Sequence, residues 1–405
     1  MSVEIRQATA EEMADLGILG GYVFGGVFGD GAENDVSEHN RPEWTLCAFV
    51  DGKLASSFAN IPFTMRANGR AMSLAGVSVV GTQPEYRRRG LARRIHTQAF
   101  GQMREAGQPV ASLWASQAAI YQRYGYAMST AARSYTIDTV DIRFHDGDGG
   151  NGRVERIDLD TGYDTIKDVY IKFVAERMAY LHRAKTLWLH GVLEPDKADG
   201  PVWVAACHDS EGSVRGYVVY TLRGQRVDNQ ARDQEFTIRD LAWLDADAYR
   251  SLWSFIASHD LVGRVRWTSA PLDDPAPELL IEPRMLHPSV QEGTWSRIVD
   301  VPTALTSRGY DVAAELGIEV EDDPLTPWND GVWHLEASPE GAHAQPSRQT
   351  PDIRLNVKAL ASLWSGFRSA SELARWGFVE GDRQALARAD EVFRTRYAPH
   401  CPDHF

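Results

Sequence analysis

The sequence predicts an α/β (α+β) protein of several domains, and three observations support this fold class. The chain has 405 residues, and at ~100–200 residues per domain this length predicts about two to four compact units. Short apolar strand patterns alternate along the chain with amphipathic helical patterns. Hydrophobic residues make up 43% and charged residues 24%, a composition that excludes wholesale disorder.

The first part of the chain, 1–145, predicts antiparallel strands followed by one long helix. Asp51-Gly52 and Asn68-Gly69 are favoured two-residue hairpin turns, and each lies between two strand patterns. Apolar residues that recur every four positions predict a helix over 87–105 with one face against a sheet. The predicted elements are strands over 3–7, 45–50, 54–60, 63–67, 71–80, 110–115 and 129–140, and a helix over 11–19.

The rest of the chain predicts two further α/β domains, over 146–300 and 301–405. A Gly- and Asp-rich stretch, 144–153, has little to bury and predicts the linker before the second domain. A second loose polar segment is expected over 337–350. The second domain contains no Gly-rich phosphate loop. Further predicted elements are strands over 202–208, 216–222, 236–244 and 264–269, and helices over 246–258 and 384–393. An amphipathic stretch covers 163–180, and the third region also contains the segments 332–336, 353–357 and 358–363.

Charge and cysteine content limit the chemical class of the binding partner and the cellular compartment of the protein. Lys and Arg number 42 against 56 Asp and Glu, a net charge of −14, which disfavours nucleic acid as the main partner and suits a cationic small molecule. Many acidic proteins bind no basic ligand, so charge alone does not identify one. Three cysteines are too few for a disulfide framework. The N-terminal residues lack a secretory pattern, and no apolar run approaches the ~18 residues of a membrane span, so a cytosolic protein without a membrane segment is expected.

Residues 77–99, which read VSVVGTQPEYRRRGLARRIHTQA, carry the clearest chemical signal. They join a β-branched strand to an amphipathic helix through three consecutive arginines. Because a helix N-terminus already has positive partial charge and unpaired N–H donors, arginines there are disfavoured unless an anion joins them. Gly90 and Ala92 leave room beside the backbone, so the segment fits a diphosphate-binding turn. The alternative is a solvated basic turn.

This segment resembles motif A of the GNAT (Gcn5-related N-acetyltransferase) superfamily, Arg/Gln-x-x-Gly-x-Gly/Ala, which residues 87–92 match as RRRGLA. The resemblance implies that the motif holds the pyrophosphate of acetyl-CoA. It also implies that the end of the preceding strand pairs with the pantetheine arm and leaves the thioester near a splayed gap in the sheet. The residues carried over are Arg88, Arg89, Gly90, Leu91, Ala92 and Arg93 for the pyrophosphate, and Val80, Gly81 and Thr82 for the pantetheine.

Residues 120–126, IYQRYGY, resemble the short helix and the Phe/Tyr-Gly-Tyr/Phe turn that follow motif A in this superfamily. The resemblance implies that Tyr126 protonates the departing thiolate and that Tyr121 and Gln122 belong to the cofactor site. Such a proton transfer is reasonable because a phenol (~10) and a thiol (~8.5) have comparable reference pKa values. The alternative for Tyr126 is a core aromatic residue at a turn.

The chain as a whole resembles the Eis-type (enhanced intracellular survival) acetyltransferases. Besides the two motifs, residues 295–302, WSRIVDVP, and the ending 401–405, CPDHF, carry the likeness. It implies tandem GNAT folds, each with a mixed central sheet flanked by helices and the second without a cofactor site, followed by a sterol-carrier-protein-like α/β domain. It further implies acetyl transfer from acetyl-CoA to primary amines of aminoglycosides or lysine side chains, with the α-carboxylate of Phe405 as general base. A homohexamer is also implied.

Other functional classes have weaker support. His400, Cys401, Asp403 and His404 crowd into five residues and match no zinc-site spacing, so no metal is expected. The protease and hydrolase signatures His-Glu-x-x-His and Gly-x-Ser-x-Gly do not occur. The acidic stretch 30–38 is either a solvated loop or part of the substrate pocket that the Eis-type resemblance implies. A competing hypothesis is an inactive GNAT scaffold whose third domain binds a lipid or a partner.

Overall fold

The computed structural model describes residues 2–25, 41–145, 147, 149–195, 200–224, 232–321 and 323–405. They form two compact units. The first consists of Met1–Ser129, Thr294–Thr395 and Phe405, and the second of Thr130–Gly293 and Arg396–His404. The acidic stretch 30–38 lies outside the described residues, and the domain boundaries after 145 and 300 stay predictions. No helix in these ranges is both long and apolar enough to cross a membrane.

Strands and helices follow one another along the whole described chain. The strands are β1 (Val3–Arg6), β2 (Cys47–Val50), β3 (Lys53–Ala67), β4 (Arg70–Thr82), β5 (Val110–Trp114), β6 (Ala127–Met128), β7 (Ala131–Asp138), β8 (Arg153–Ile157), β9 (Met178–Leu181), β10 (Val202–His208), β11 (Val214–Gly224), β12 (Gln234–Trp243), β13 (Val262–Ala270), β14 (Ser289–Glu292), β15 (Thr294–Ile298), β16 (Ala314–Glu321), β17 (Gly331–Ser338), β18 (Gly341–Pro346), β19 (Ile353–Asn356) and β20 (Val379–Gly381). The helices are α1 (Met13–Phe24), α2 (Leu91–Glu105), α3 (Ala118–Tyr121), α4 (Leu159–Val174), α5 (Lys185–Leu187), α6 (Ala246–Ala257), α7 (Ala276–Leu279), α8 (Val301–Ser307), α9 (Val357–Trp364), α10 (Ala370–Arg375) and α11 (Arg383–Phe393).

The first unit contains a mixed sheet in which the strand order includes β1-β2-β3-β4-β5-β15-β6. β4 and β5 are parallel, and the other neighbours along this path are antiparallel. Helix α2 covers one face of the sheet, and Leu91, Ile95, Ala99 and Met103 are all buried there, as their four-residue spacing predicts. Helix α1 packs through Leu16 and other apolar residues against β2 and the start of β3.

Two details of this sheet differ from the predicted pattern, although both predicted hairpin turns form. β3 is one continuous strand rather than two. Its Pro62 lies beyond the residues that pair with β2, so the missing N–H removes no bond to β2. The long helix begins at Leu91 rather than at Arg87, because Arg88 and Gly90 have left-handed φ values of 62° and 75° that a helix cannot contain.

The C-terminal part of the first unit forms a second sheet with the order β18-β17-β16-β19-β20. The predicted helix over 384–393 forms as α11, and α9 packs against β15, β6 and β19. The segment 337–350, expected to be loose, contains the edge strand β18. Most residues of β18 are polar or small and none is buried, so the strand has no apolar alternation for a sequence pattern to detect.

The second unit is built on a sheet with the order β14-β7-β13-β12-β11-β10-β8, with α6 on one face and α4 on the other. The strand predicted over 129–140 forms as β7 and belongs to this sheet. The Gly-rich stretch predicted as a linker packs against α6, where the Ser254 hydroxyl donates to the Gly149 carbonyl at 2.7 Å. A Cβ at Gly150 would lie 2.3 Å from the Ser251 Oγ, so these glycines permit close packing.

Candidate active site

The sheet of the first unit opens between β4 and β5. Parallel pairing joins Ala75 to Ala111 and Gly76 to Ser112. Beyond these positions β4 continues to Thr82, and the two strands have no further register pairs among the described residues. On the side of β5, the backbone of the last part of β4 therefore has no register partner among the described residues, and the GNAT resemblance implies a splayed gap at this place.

A β-bulge shapes β4 at this opening. The register between β3 and β4 shifts between the pairs Ser57–Gly81 and Ala59–Ser78. Within the bulge Val79 has a φ of 50°, a rare conformation for a β-branched residue that stores backbone strain. The Ser57 hydroxyl stabilises it by donating to the Val79 carbonyl at 2.7 Å. The bulge re-aims the backbone of the strand end at the gap.

The three predicted pantetheine-contact residues form the end of β4 directly after the bulge. Val80 and Thr82 are half-buried and Gly81 is buried. A Cβ at Gly81 would lie 2.7 Å from the Cδ2 of Leu19, so glycine is required here for the packing of α1. The Thr82 hydroxyl lies 2.7 Å from that of Ser56 on β3, which ties the strand end to its paired neighbour.

The arginine-rich turn connects the end of β4 to α2. The Arg87 Nε donates to the Thr82 carbonyl at 3.0 Å, and an Arg89 Nη2 donates to the Glu85 carbonyl at 2.8 Å. Arg87 and Arg89 thus fix the conformation of the turn and also give it positive charge. A Cβ at Gly90 would meet no atom within 4 Å, so its φ of 75°, rather than space, requires glycine.

The remaining residues predicted to bind the pyrophosphate, Leu91, Ala92 and Arg93, begin α2. Their backbone amides are the candidate hydrogen-bond donors. The first intrahelical bond runs from the Arg94 N–H to the Gly90 carbonyl at 3.1 Å. By helix geometry, the amides of Leu91, Ala92 and Arg93 precede that bond and have no partner within the helix. The Leu91 side chain belongs to the core, whereas Arg88 and Arg93 are exposed. Amides without an intrahelical partner, a left-handed turn and exposed arginines are a donor set that fits a diphosphate.

Tyr126 is completely buried at the end of the IYQRYGY segment. Its ring packs edge-on against His96 and Tyr121, with ring centroids 6.3 and 6.0 Å away, and is tilted against Phe100. Its hydroxyl has no hydrogen-bond partner among the described residues, which is uncommon for a buried polar group. Burial raises the pKa of Tyr126 far above that of a free phenol, so the hydroxyl keeps its proton at physiological pH.

The two other residues predicted in this segment lie in different environments. Tyr121 is buried in the same aromatic cluster, and burial raises its pKa as well. Gln122 is exposed.

His96 is a buried polar residue of this cluster that the sequence analysis did not single out. Its ring stacks on that of Tyr124, with centroids 3.9 Å apart. Its Nδ1 lies 2.7 Å from the Ala92 carbonyl and must be the donor there, which leaves Nε2 unprotonated and without a partner in the described ranges. Burial lowers the pKa of His96 to about 4, so the ring is neutral. In the sequence, the position of His96 next to Ile95 on the apolar face of α2 is the feature that indicates its burial.

The last residue of the sequence, Phe405, packs in the first unit against β3. Its ring centroid lies 5.0 Å from that of Phe63. The Phe63 ring in turn covers Gly76, where a Cβ would lie 2.3 Å from Phe63 Cε2. Since Gly76 and Ser112 form the last pair before β4 and β5 separate, Phe405 contacts a side chain at the base of the gap.

The residues before Phe405 are held in the second unit by buried charges. Arg183 donates to Asp403 at 2.7 Å and to Asp240 at 2.6 Å, and all three side chains are nearly inaccessible. Burial raises the pKa of the Cys401 thiol, which donates to the Asp403 carbonyl. No group of three or more His, Cys, Asp or Glu side chains in the described part of the chain is arranged to hold a metal ion.

Most of this chain is similar to known protein families. A family model described as an acetyltransferase (GNAT) domain matches residues 4–129, a second matches 179–298, and a sterol carrier protein domain matches 301–402. An uncharacterized N-acetyltransferase of Streptomyces avermitilis is 31% identical over 92% of this chain and 90% of its own. The N-acetyltransferase Eis of Mycobacterium tuberculosis is 31% identical over 79% of this chain and 78% of its own. The chain belongs to the Eis-type N-acetyltransferases of the GNAT superfamily.

Solved structures have the same fold. Eis1 from Mycobacterium abscessus superposes with a TM-score of 0.83 at 26% identity, over 99% of this chain and all of that one. A GCN5-related N-acetyltransferase from Anabaena variabilis shares the fold over both entire chains, with a TM-score of 0.88 at 24% identity. The predicted α/β fold, with tandem GNAT folds and a sterol-carrier-protein-like domain, is confirmed, as is the prediction of an acetyltransferase.

Proposed function

We propose that this Eis-type enzyme transfers the acetyl group of acetyl-CoA to primary amines of a polycationic acceptor. Aminoglycosides are the first acceptor class and lysine side chains the second. The observation that carries the proposal is the β4–β5 gap, with the arginine-rich turn bonded to the strand that borders it. The net charge of −14 supports a cationic acceptor.

The donor set around α2 supports a role in holding the diphosphate of acetyl-CoA. The amides of Gly90, Leu91, Ala92 and Arg93 supply fixed partial positive charge, and the side chains of Arg88, Arg89 and Arg93 supply full charge. The edge of Val80–Thr82 that has no register partner in β5 supplies backbone groups for the amides of the pantetheine arm. Tyr121 and Gln122 complete this proposed cofactor site.

Two groups of this chain are proposed to move protons. Acetyl-CoA supplies an activated thioester, so much of the rate acceleration comes from positioning. The Tyr126 hydroxyl donates its proton to the coenzyme A sulfur as the carbon–sulfur bond breaks. The Phe405 α-carboxylate accepts a proton from the attacking nitrogen as the new carbon–nitrogen bond forms. Because an α-carboxyl titrates near ~3.5, this acceptance requires a nitrogen that bond formation has already made acidic.

An assay of acetyl transfer tests the proposal directly. The protein is incubated with acetyl-CoA and a panel of aminoglycosides, and released thiol is followed. A lysine peptide tests the second acceptor class, and the same sugars without amino groups are the control. We expect thiol release with the amine-bearing acceptors and none with the control sugars. Acetyl-CoA binding by calorimetry without release for any amine would overturn the transferase proposal, and absence of binding would overturn the cofactor site as well.

We also propose the homohexameric assembly that the family resemblance implies. Light scattering of the purified chain measures its mass directly, and a monomeric mass contradicts this proposal.

A further inference from the structure

Arg297 on β15 is a buried cation at the centre of a polar network. Its side chain is 1% exposed and pairs with Asp323, itself 2% exposed, at 2.6 Å. The Thr326 hydroxyl accepts from the same Nη2 at 2.8 Å. Since removing two charges from water costs about as much as their attraction returns, a buried ion pair of this kind is a weak source of stability. This network therefore invites a role beyond folding.

The other end of the Arg297 guanidinium holds the turn that precedes Tyr126. Its Nη1 donates to the Tyr124 carbonyl at 2.8 Å. Gly125 has a φ of 80°, and a Cβ there would lie 1.7 Å from the same Nη1. The Gly of the Tyr-Gly-Tyr turn is thus required both by its backbone conformation and by the close approach of this arginine.

Arg297 also contacts the aromatic cluster that surrounds Tyr126. Its guanidinium carbon lies 4.5 Å from the centroid of the Phe100 ring, which packs in turn against Tyr126. Its charge lowers the pKa of Tyr126, although burial outweighs this effect. One side chain therefore fixes both the backbone before Tyr126 and a ring packed against it.

We propose that Arg297 is a positioning residue for acetyl transfer, which holds the Tyr124–Tyr126 turn so that the Tyr126 hydroxyl stays at the site of the leaving sulfur. Asp323 and Thr326 hold Arg297 in place. Both lie within the segment that matches the sterol carrier protein domain, so that domain contributes to the site of the first GNAT domain. The inference rests on the proposed acid role of Tyr126.

A double-mutant cycle tests this inference. Arg297→Lys keeps the charge and loses the forked contact, and it is measured in the wild-type and Tyr126→Phe backgrounds. In the wild type we expect kcat to fall about 10- to 100-fold, with the KM for acetyl-CoA within about twofold, because a small displacement of the acid costs rate rather than binding. In the Tyr126→Phe background we expect a further loss below about twofold.

Two further variants keep the test decisive. Thr326→Val removes one hydrogen-bond partner of Arg297 and replaces Arg297→Lys in the cycle if that variant fails to fold. We expect Thr326→Val to lower kcat about threefold in the wild type and to have no effect in the Tyr126→Phe background. Arg104→Lys is the matched control, because Arg104 pairs with Asp300 in the same unit and is half-exposed, and kcat should stay unchanged.

The outcomes separate this inference from the proposed function. Equal fractional losses in the two backgrounds, or a rise in KM with kcat unchanged, would overturn the positioning role while leaving Tyr126 as the acid. Full turnover of the single variant Tyr126→Phe overturns the acid role itself, and the positioning role falls with it.

Discussion

The replacement Tyr126→Phe removes one oxygen atom from a completely buried side chain. The ring contacts with His96, Phe100 and Tyr121 are retained, so no cavity of significant size forms. The deleted hydroxyl has no partner among the described residues. Because burying an unpaired hydroxyl costs about 1–3 kcal/mol, its removal should raise stability by about 1 kcal/mol. The apparent Tm should therefore rise by about 2–4 °C.

Activity should change in the opposite direction. If this hydroxyl protonates the leaving sulfur, its loss should lower kcat by about 10²-fold or more, with little change in acetyl-CoA affinity. The measurements are thiol release at saturating substrates, and scanning calorimetry without acetyl-CoA. Tyr126→Ala is expected to lose turnover as well, but it also opens a cavity in the core, which makes phenylalanine the cleaner replacement.

Tyr310→Phe is the matched control. Tyr310 is buried in the same unit, and its hydroxyl donates to the Leu305 carbonyl at 2.7 Å. Its replacement should lower stability by about 1 kcal/mol, since the carbonyl loses its partner, and should leave kcat unchanged. A fall of Tm for Tyr126→Phe similar to that of the control would mean that the Tyr126 hydroxyl is a structural donor. Unchanged turnover would refute the acid role.

Three further predictions concern other groups. Residues added after Phe405 displace its carboxylate and should abolish turnover while leaving acetyl-CoA binding intact, so a fully active extended protein contradicts the base role. Arg93→Ala should raise the KM for acetyl-CoA about tenfold, whereas the neighbouring exposed Arg94→Ala should change it less than about twofold; equal effects contradict the phosphate role. Burial raises the pKa of Asp274 to about 7. Between about pH 4 and 7 the folded state therefore holds a proton that the unfolded state lacks. The free energy of unfolding thus decreases as the pH rises through this range. The Tm of Asp274→Asn relative to wild type should increase from pH 5 to pH 8, and a constant difference contradicts this linkage.

The elements with local signals could be predicted closely. The hairpin turn at Asn68-Gly69 and the apolar face of α2 depend on residues within a few positions of each other, so the sequence pattern suffices. The predicted start of α2 was wrong by four residues, because no feature of the composition indicates that Arg88 has a left-handed φ. The edge strand β18 was missed, because no residue in it is buried and hydrophobic periodicity detects only buried faces.

The sequence by itself determined the family, the three-part order of folds and the motif at the start of α2, since each is written in contiguous residues. Only the tertiary structure decided what surrounds the candidate site. It inserts β15 between β5 and β6, brings the Arg297 guanidinium against Gly125, and packs the Phe405 ring on Phe63. These contacts join residues far apart in the chain. They form only when the core is assembled, and no local propensity encodes such long-range packing.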